Sequence, residues 1–102
     1  VSSPTVYFLQ SADPDAPVKI GYTERSSRER LSEAQTFSAE KLYILIETLG
    51  SREDETALHR RFATLNIRGE WFHYDGELRE LVLHLLDGGS LQSWLCSSGG
   101  TE

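Results

Sequence analysis

Tyr7, Lys19, Arg30, Glu55 and His59 are the side chains in this 102-residue sequence whose types and spacing suit phosphate chemistry. A phenol has a reference pKa of about 10, too high for an efficient base at neutral pH. A neighbouring ammonium favours phenolate and lowers that value, so Lys19 beside Tyr7 would let the pair take a proton from water. A guanidinium suits a phosphate, because its planar fork bonds two oxygens and never loses its charge. Arg30 is the candidate, and Arg28 the alternative should the first helix begin in another register. A hard carboxylate such as Glu55 is what Mg²⁺ takes, commonly with water and phosphate oxygens around the rest of the ion. His59, one helical turn on, would orient a metal-held water, bond phosphate, or be a satisfied half-buried histidine. Singly, each has a plainer explanation: a strand tyrosine, a solvated lysine, a surface arginine, a glutamate placed against the helix dipole. Zinc is not expected, since there is one cysteine and His59, His73 and His84 show no ligand spacing.

These groups converge only if local structure brings them together. Residues 5–10 are β-branched and aromatic, as a strand favours. Residues 11–17, with Asp13-Pro14-Asp15 and Pro17, make a turn. Residues 18–23 return as a second strand containing Gly21, a residue that weakens strands and often marks a close approach. If Tyr7 lies opposite Gly21, then Tyr7, Lys19, Gly21 and Thr23 share one face, with open space beside the Tyr7 hydroxyl. Val6, Phe8, Ile20 and Tyr22 then share the core face. A slip of one residue would scatter the set.

Ser26-Ser27-Arg28-Glu29 reads as a capping box opening a helix to about Gln35. The apolar run at residues 41–48 suggests a central strand. Ser51 caps a second helix whose first turn holds Glu53, Asp54 and Glu55, and which puts Glu55, Leu58, His59 and Phe62 on one face. Residues 66–69 read as a loop and residues 70–74 as a short aromatic edge strand. Asp75 caps a third helix with Leu78, Leu81, Val82, Leu85 and Leu86 along its apolar side, ended by Gly88-Gly89. Residues 90–96 add a short helical turn, and residues 97–102 a flexible tail. The order is ββαβα, then a short strand and one or two helices.

Length and composition fit one domain, residues 1–96. No apolar run approaches a membrane span, so no membrane partner is expected. The single Cys96 excludes an internal disulfide framework and fits a reducing, cytoplasmic setting. The first residue is Val1, which suggests a processed chain or a piece of a longer one. The net charge of −6 argues against a generic nucleic-acid coat. Its distribution softens that objection, because residues 70–102 carry Arg79 alone against Glu70, Asp75, Glu77, Glu80, Asp87 and Glu102. Arg25, Arg28, Arg30, Arg52, Arg60, Arg61 and Arg68 belong to the nearly neutral remainder and can form a phosphate-attracting patch.

Taken in order, these motifs resemble the GIY-YIG nuclease superfamily, within it the small branch of T5orf172-type and meiotically up-regulated 113-type domains. Val6-Tyr7 stands where the first motif has Ile-Tyr, with Thr5 in place of its glycine. Lys19-Ile20-Gly21 stands where the second has Tyr-Ile-Gly, after eleven intervening residues. Arg30-Leu31 with Gln35-Thr36 is similar to the branch's helix motif, with one extra residue after Gly21. Residues 55–62 and 68–72 resemble its later signature. The resemblance implies an α+β fold, a central three-stranded antiparallel sheet flanked by helices, with C-terminal helices. It implies an endonuclease, a phosphodiester hydrolase acting on DNA with Mg²⁺ or Mn²⁺. Tyr7 would help to activate water, Arg30 would hold the scissile phosphate and Glu55 would bind the metal. Lys19 in place of tyrosine is the main departure.

Gly21, Thr23, Arg28, Arg61, Arg68, Glu70 and Trp71 are the expected substrate contacts, with Trp71 and Glu70 walling the cleft; alternatively Trp71 closes the core and Glu70 pairs with an arginine. Sequence recognition would come from a fused domain, a partner or a homodimer. Two rival functions follow from the same residues: a nucleic-acid-binding or partner-docking module without turnover, and a protein-interaction domain using Leu91, Trp94 and Leu95.

Overall fold

Apolar residues at every second position of a hairpin permit one burial parity only, because a one-residue shift turns all of them to the other face. The computed structural model describes residues 3–36 and 38–99, and it has the hairpin in that parity. Strand β1 (Thr5–Ser11) pairs antiparallel with β2 (Val18–Thr23), with Tyr7 opposite Gly21 and Leu9 opposite Lys19. Val6, Phe8, Val18 and Ile20 point to the other face and are fully buried.

The next strand, β3 (Leu42–Leu49), joins the far side of β1, so β1 is central and β3 is an edge. The apolar run had suggested the reverse. Its composition follows from helix packing instead: α1 (Ser27–Thr36) and α3 (Gly76–Leu86) both lie against β3, which therefore needs apolar side chains despite its open edge. On the other side, β5 (Trp71–Phe72) pairs with β2 and β4 (Asn66–Arg68) pairs with β5, giving the order β3-β1-β2-β5-β4. Among the described residues the sheet thus has five strands rather than three. The expected loop at residues 66–69 is mostly strand, and the expected edge strand is internal. Strands of three and two residues are too short to show an alternation. Gly69, at φ +58°, takes the left-handed conformation that lets the chain reverse.

Helix ends follow local chemistry. Helix α2 (Arg52–Arg61) has a full capping box: the Asp54 N–H donates to Ser51 Oγ at 3.1 Å, and the Ser51 N–H to Asp54 Oδ2 at 2.9 Å. At α1 the expected capping box does not form, and Ser26 caps the residue two on instead of three. The Arg28 N–H donates to Ser26 Oγ at 3.1 Å, while the Glu29 carboxylate sits 3.5 Å from Arg25. Asp75 caps α3 through the Gly76 N–H. Helix α4 (Leu91–Gly99) extends into the segment expected to be tail; residues 100–102 lie outside the described residues.

The core lies between the Phe8–Ile20 face of the sheet and helices α2, α3 and α4, with Phe62, Phe72 and Leu81 at its centre. Leu91 and Trp94 belong to it, at 0% and 9% exposure, so they are not a docking surface; burying side chains of this kind contributes roughly 1.5–3 kcal/mol each. The opposite face carries α1 over the buried Leu9 and Leu42, and leaves a groove between α1 and strands β2 and β5. Among the described residues no helix is long and apolar enough to cross a membrane.

Candidate active site

The Tyr7 ring lies across Gly21. A Cβ built on Gly21 would collide with Cζ and the hydroxyl of Tyr7. The glycine is needed for close approach, and the space it leaves is filled by the phenol itself, not left open beside it. The hydroxyl borders a cleft of about 380 Å³ lined by Tyr7, Lys19, Tyr22, Arg30, Arg52 and Glu70, with Glu33 and Ala34 at its side.

Lys19 does not serve the phenol in this arrangement. Its Nζ is 2.7 Å from Glu70 Oε1, in a pair that is partly exposed at both ends. Glu70 thus pairs with a lysine and not with an arginine. Tyr7 is pushed up to about 12, first by burial and then by the Glu70 charge, with Arg30 pulling the other way. The expected depression of the Tyr7 pKa by Lys19 is therefore absent, because the ammonium is committed to a carboxylate that itself disfavours phenolate.

Arg30 reaches the cleft from α1. Its Nη1 donates to Glu33 Oε1 at 3.0 Å, while its Nε is buried with no partner among the described residues. A buried N–H left unsatisfied costs roughly 1–3 kcal/mol. Arg52 adds a second guanidinium, 4.8 Å above the Tyr22 ring. Ser27 Oγ is likewise buried without a partner, at the start of the same helix.

Glu55 and His59 stand on α2 and do not line that cleft, although the Glu55 charge acts on Tyr7. On β2, β5 pairs with Val18 and Lys19, and the Ile20 N–H donates to the Glu70 carbonyl at 3.0 Å, after which the pairing ends. The His59 Nε2–H donates to the free Ile20 carbonyl at 3.1 Å, and the ring meets Phe72 edge-on at 5.0 Å. Nε2 is also 3.8 Å from Glu55 Oε2. That nitrogen is thus committed to backbone. The Glu55 side chain is 12% exposed. Its pKa is raised, chiefly by burial and next by the Glu70 charge, against the pull of His59, Arg52 and Lys19. A half-buried carboxylate short of positive charge suits a hard cation. Among the described residues no three metal-ligating side chains cluster. A divalent ion would rest on Glu55 with water and substrate oxygens, the pattern usual for Mg²⁺.

The remaining sequence candidates divide. Arg68, Glu70 and Trp71 line a neighbouring hollow that shares Lys19 and Glu70 with the cleft. Arg28 is exposed in a separate hollow with Leu31 and Lys41. Thr23 is buried, and its Oγ1 accepts from the Arg25 N–H at 2.9 Å, which shapes the turn into α1. Arg61 forks onto Glu77 at 2.9 and 3.2 Å and covers Trp94, so it ties α2 to α3 and α4. Arg52 and Glu33 are the charged cleft residues that sequence reasoning left out of the site, and Tyr22, expected on the core face, lines the cleft as well. Both charges had a signal: Arg52 lies three positions before Glu55, and Glu33 three after Arg30, so each shares a helix face with a candidate.

A family model described as the T5orf172 domain matches residues 5–86, most of the chain. No curated protein and no solved structure matches it.

Proposed function

We propose that this chain, which belongs to the T5orf172 domain family, a GIY-YIG-related nuclease family, is an endonuclease that hydrolyses phosphodiester bonds in DNA with Mg²⁺ or Mn²⁺ held at Glu55. The observation that carries this reading is the Arg30 guanidinium, on a side chain 35% exposed that lines the cleft Tyr7 borders. A donor group of fixed charge there suits an oxyanion.

Arg30, with Arg52 behind it, would bind a non-bridging phosphate oxygen and oppose the negative charge that grows there as water adds to phosphorus. The bound divalent ion would supply further charge stabilisation. Tyr7 would position the attacking water and, once its own proton has passed to solvent, accept the water's proton as phenolate. With its pKa at about 12, the phenol does so only once positive charge offsets Glu70 and Glu55. His59 acts on Glu55 and on the β2 backbone, holding the carboxylate's helix against the strand. Lys19 neutralises Glu70 and so relieves its repulsion of Glu55. Selection of a particular sequence would fall to a fused segment or a second copy.

The test is cleavage of plasmid, single-stranded and branched DNA with Mg²⁺ or Mn²⁺ by wild type, Glu55→Ala and Arg30→Ala. Loss of activity in both variants is expected; equal cleavage by all three proteins would mean a contaminant or another site. A second reading, a nucleic-acid-binding module without turnover, is favoured by the Lys19–Glu70 pair and the raised Tyr7 pKa. Salt-sensitive binding with no cleavage under any metal would establish it instead.

A further inference from the structure

Trp71 is set apart from the other large aromatic side chains. Its neighbour Phe72 is buried in the core, and strand alternation turns Trp71 to the opposite, cleft-bearing face, across from Lys19. Trp71 is half-buried, yet among the described residues it neither belongs to the core cluster nor packs against it. Among those residues no ring or cation lies on its face, whereas Trp94 is covered by Phe62 and Arg61 and Tyr74 by Arg79. Trp71 instead borders two hollows of about 730 Å³ and 420 Å³. Both reach Lys19, which also lines the Tyr7–Arg30 cleft. Lys19 is thus the common wall between the Arg30 cleft and the hollows that Trp71 borders, the larger of which extends to the exposed Ile67 and Arg68.

We propose that Trp71 is a stacking platform for an unpaired nucleobase beside the scissile phosphate, so that the substrate is single-stranded or locally unpaired nucleic acid. The inference rests on the cleft being a phosphodiester site. An indole without a ring or cation partner among the described residues, on the far side of Lys19 from the phosphate-binding guanidinium, is where a neighbouring base would fall. Stacking tolerates any base, because every base has a π-face. In an intact duplex both faces of each base are already covered by neighbours, so a platform of this kind selects an unstacked nucleotide. Arg68, in the wall of the larger hollow, meets the following phosphate. With a net charge of −6, the protein has weak long-range attraction for a duplex, and short-range stacking must supply what charge does not.

Tryptophan fluorescence tests this in metal-free buffer with EDTA. Wild type is titrated with oligo-dT, oligo-U and a blunt duplex of equal length; the buried Trp94 gives a constant background. Single strands are expected to quench the emission and the duplex to leave it unchanged. Trp71→Ala should bind single strands roughly ten-fold or more weakly without quenching, and Trp71→Phe should keep most of the affinity. Circular dichroism checks that both variants fold. Equal quenching by the duplex, undiminished affinity in Trp71→Ala, or no binding of any strand would overturn the proposal. Trp71-dependent quenching without cleavage under any metal would keep the platform and remove the endonuclease. Single-strand cleavage that Trp71→Ala leaves intact would remove the platform alone.

Discussion

Lys19 and Glu70, 51 residues apart in sequence, are joined Nζ to Oε1 at 2.7 Å, and the Glu70 charge raises the pKa values of both Tyr7 and Glu55. Two candidate catalytic groups on different elements thus share one electrostatic neighbour. The pair is partly exposed, so its contribution to stability is small, about 1 kcal/mol or less. Its consequence lies in which protonation states the site holds.

Glu70→Gln removes the carboxylate and frees the ammonium. The Tyr7 titration, followed by NMR of labelled tyrosine, should move down from about 12. The direction follows from losing a charge that disfavours phenolate while gaining an unpaired cation nearby. An unchanged or higher Tyr7 midpoint would mean that burial alone sets it.

Gly21→Ala puts a methyl where the Tyr7 ring now lies. Either the ring leaves or the hairpin deforms, and overpacking of this sort costs roughly 1–3 kcal/mol. Urea denaturation should show that loss. Tyr7→Ala in the Gly21→Ala background should restore part of it, since the two changes share one space and do not add. Simple additivity would place the ring elsewhere.

Glu55 gives two pH effects of known sign. Its raised pKa means that protons compete with a cation at a higher pH than for an ordinary glutamate, whose reference value is about 4.3. Mn²⁺ affinity, measured by calorimetry, should therefore fall on acidification before the ordinary glutamate range is reached. In the metal-free protein the folded state binds this proton more tightly than the unfolded chain does. Stability consequently declines as pH rises from the ordinary glutamate pKa through the raised one. Glu55→Gln removes that penalty and should melt higher than wild type at neutral pH without metal; an equal or lower melting temperature would show that the carboxylate is compensated.

The sequence alone determined what is local. The parity of Val6, Phe8 and Ile20 puts these three on one face of the hairpin and Tyr7 with Gly21 on the other. Caps at Ser51 and Asp75 place the starts of α2 and α3 because their bonds span at most three residues. Helical spacing puts Glu55 and His59 on one face, where they meet at 3.8 Å. The tertiary structure decided what depends on neighbours distant in the chain. It directed Lys19 to Glu70, Arg61 to Glu77 and the Tyr7 pKa upward. It placed the apolar β3 at an edge and paired β5 with β2. A long charged side chain can satisfy itself in several directions, and a strand of two residues has no period of its own. Both are settled only when another element arrives beside them.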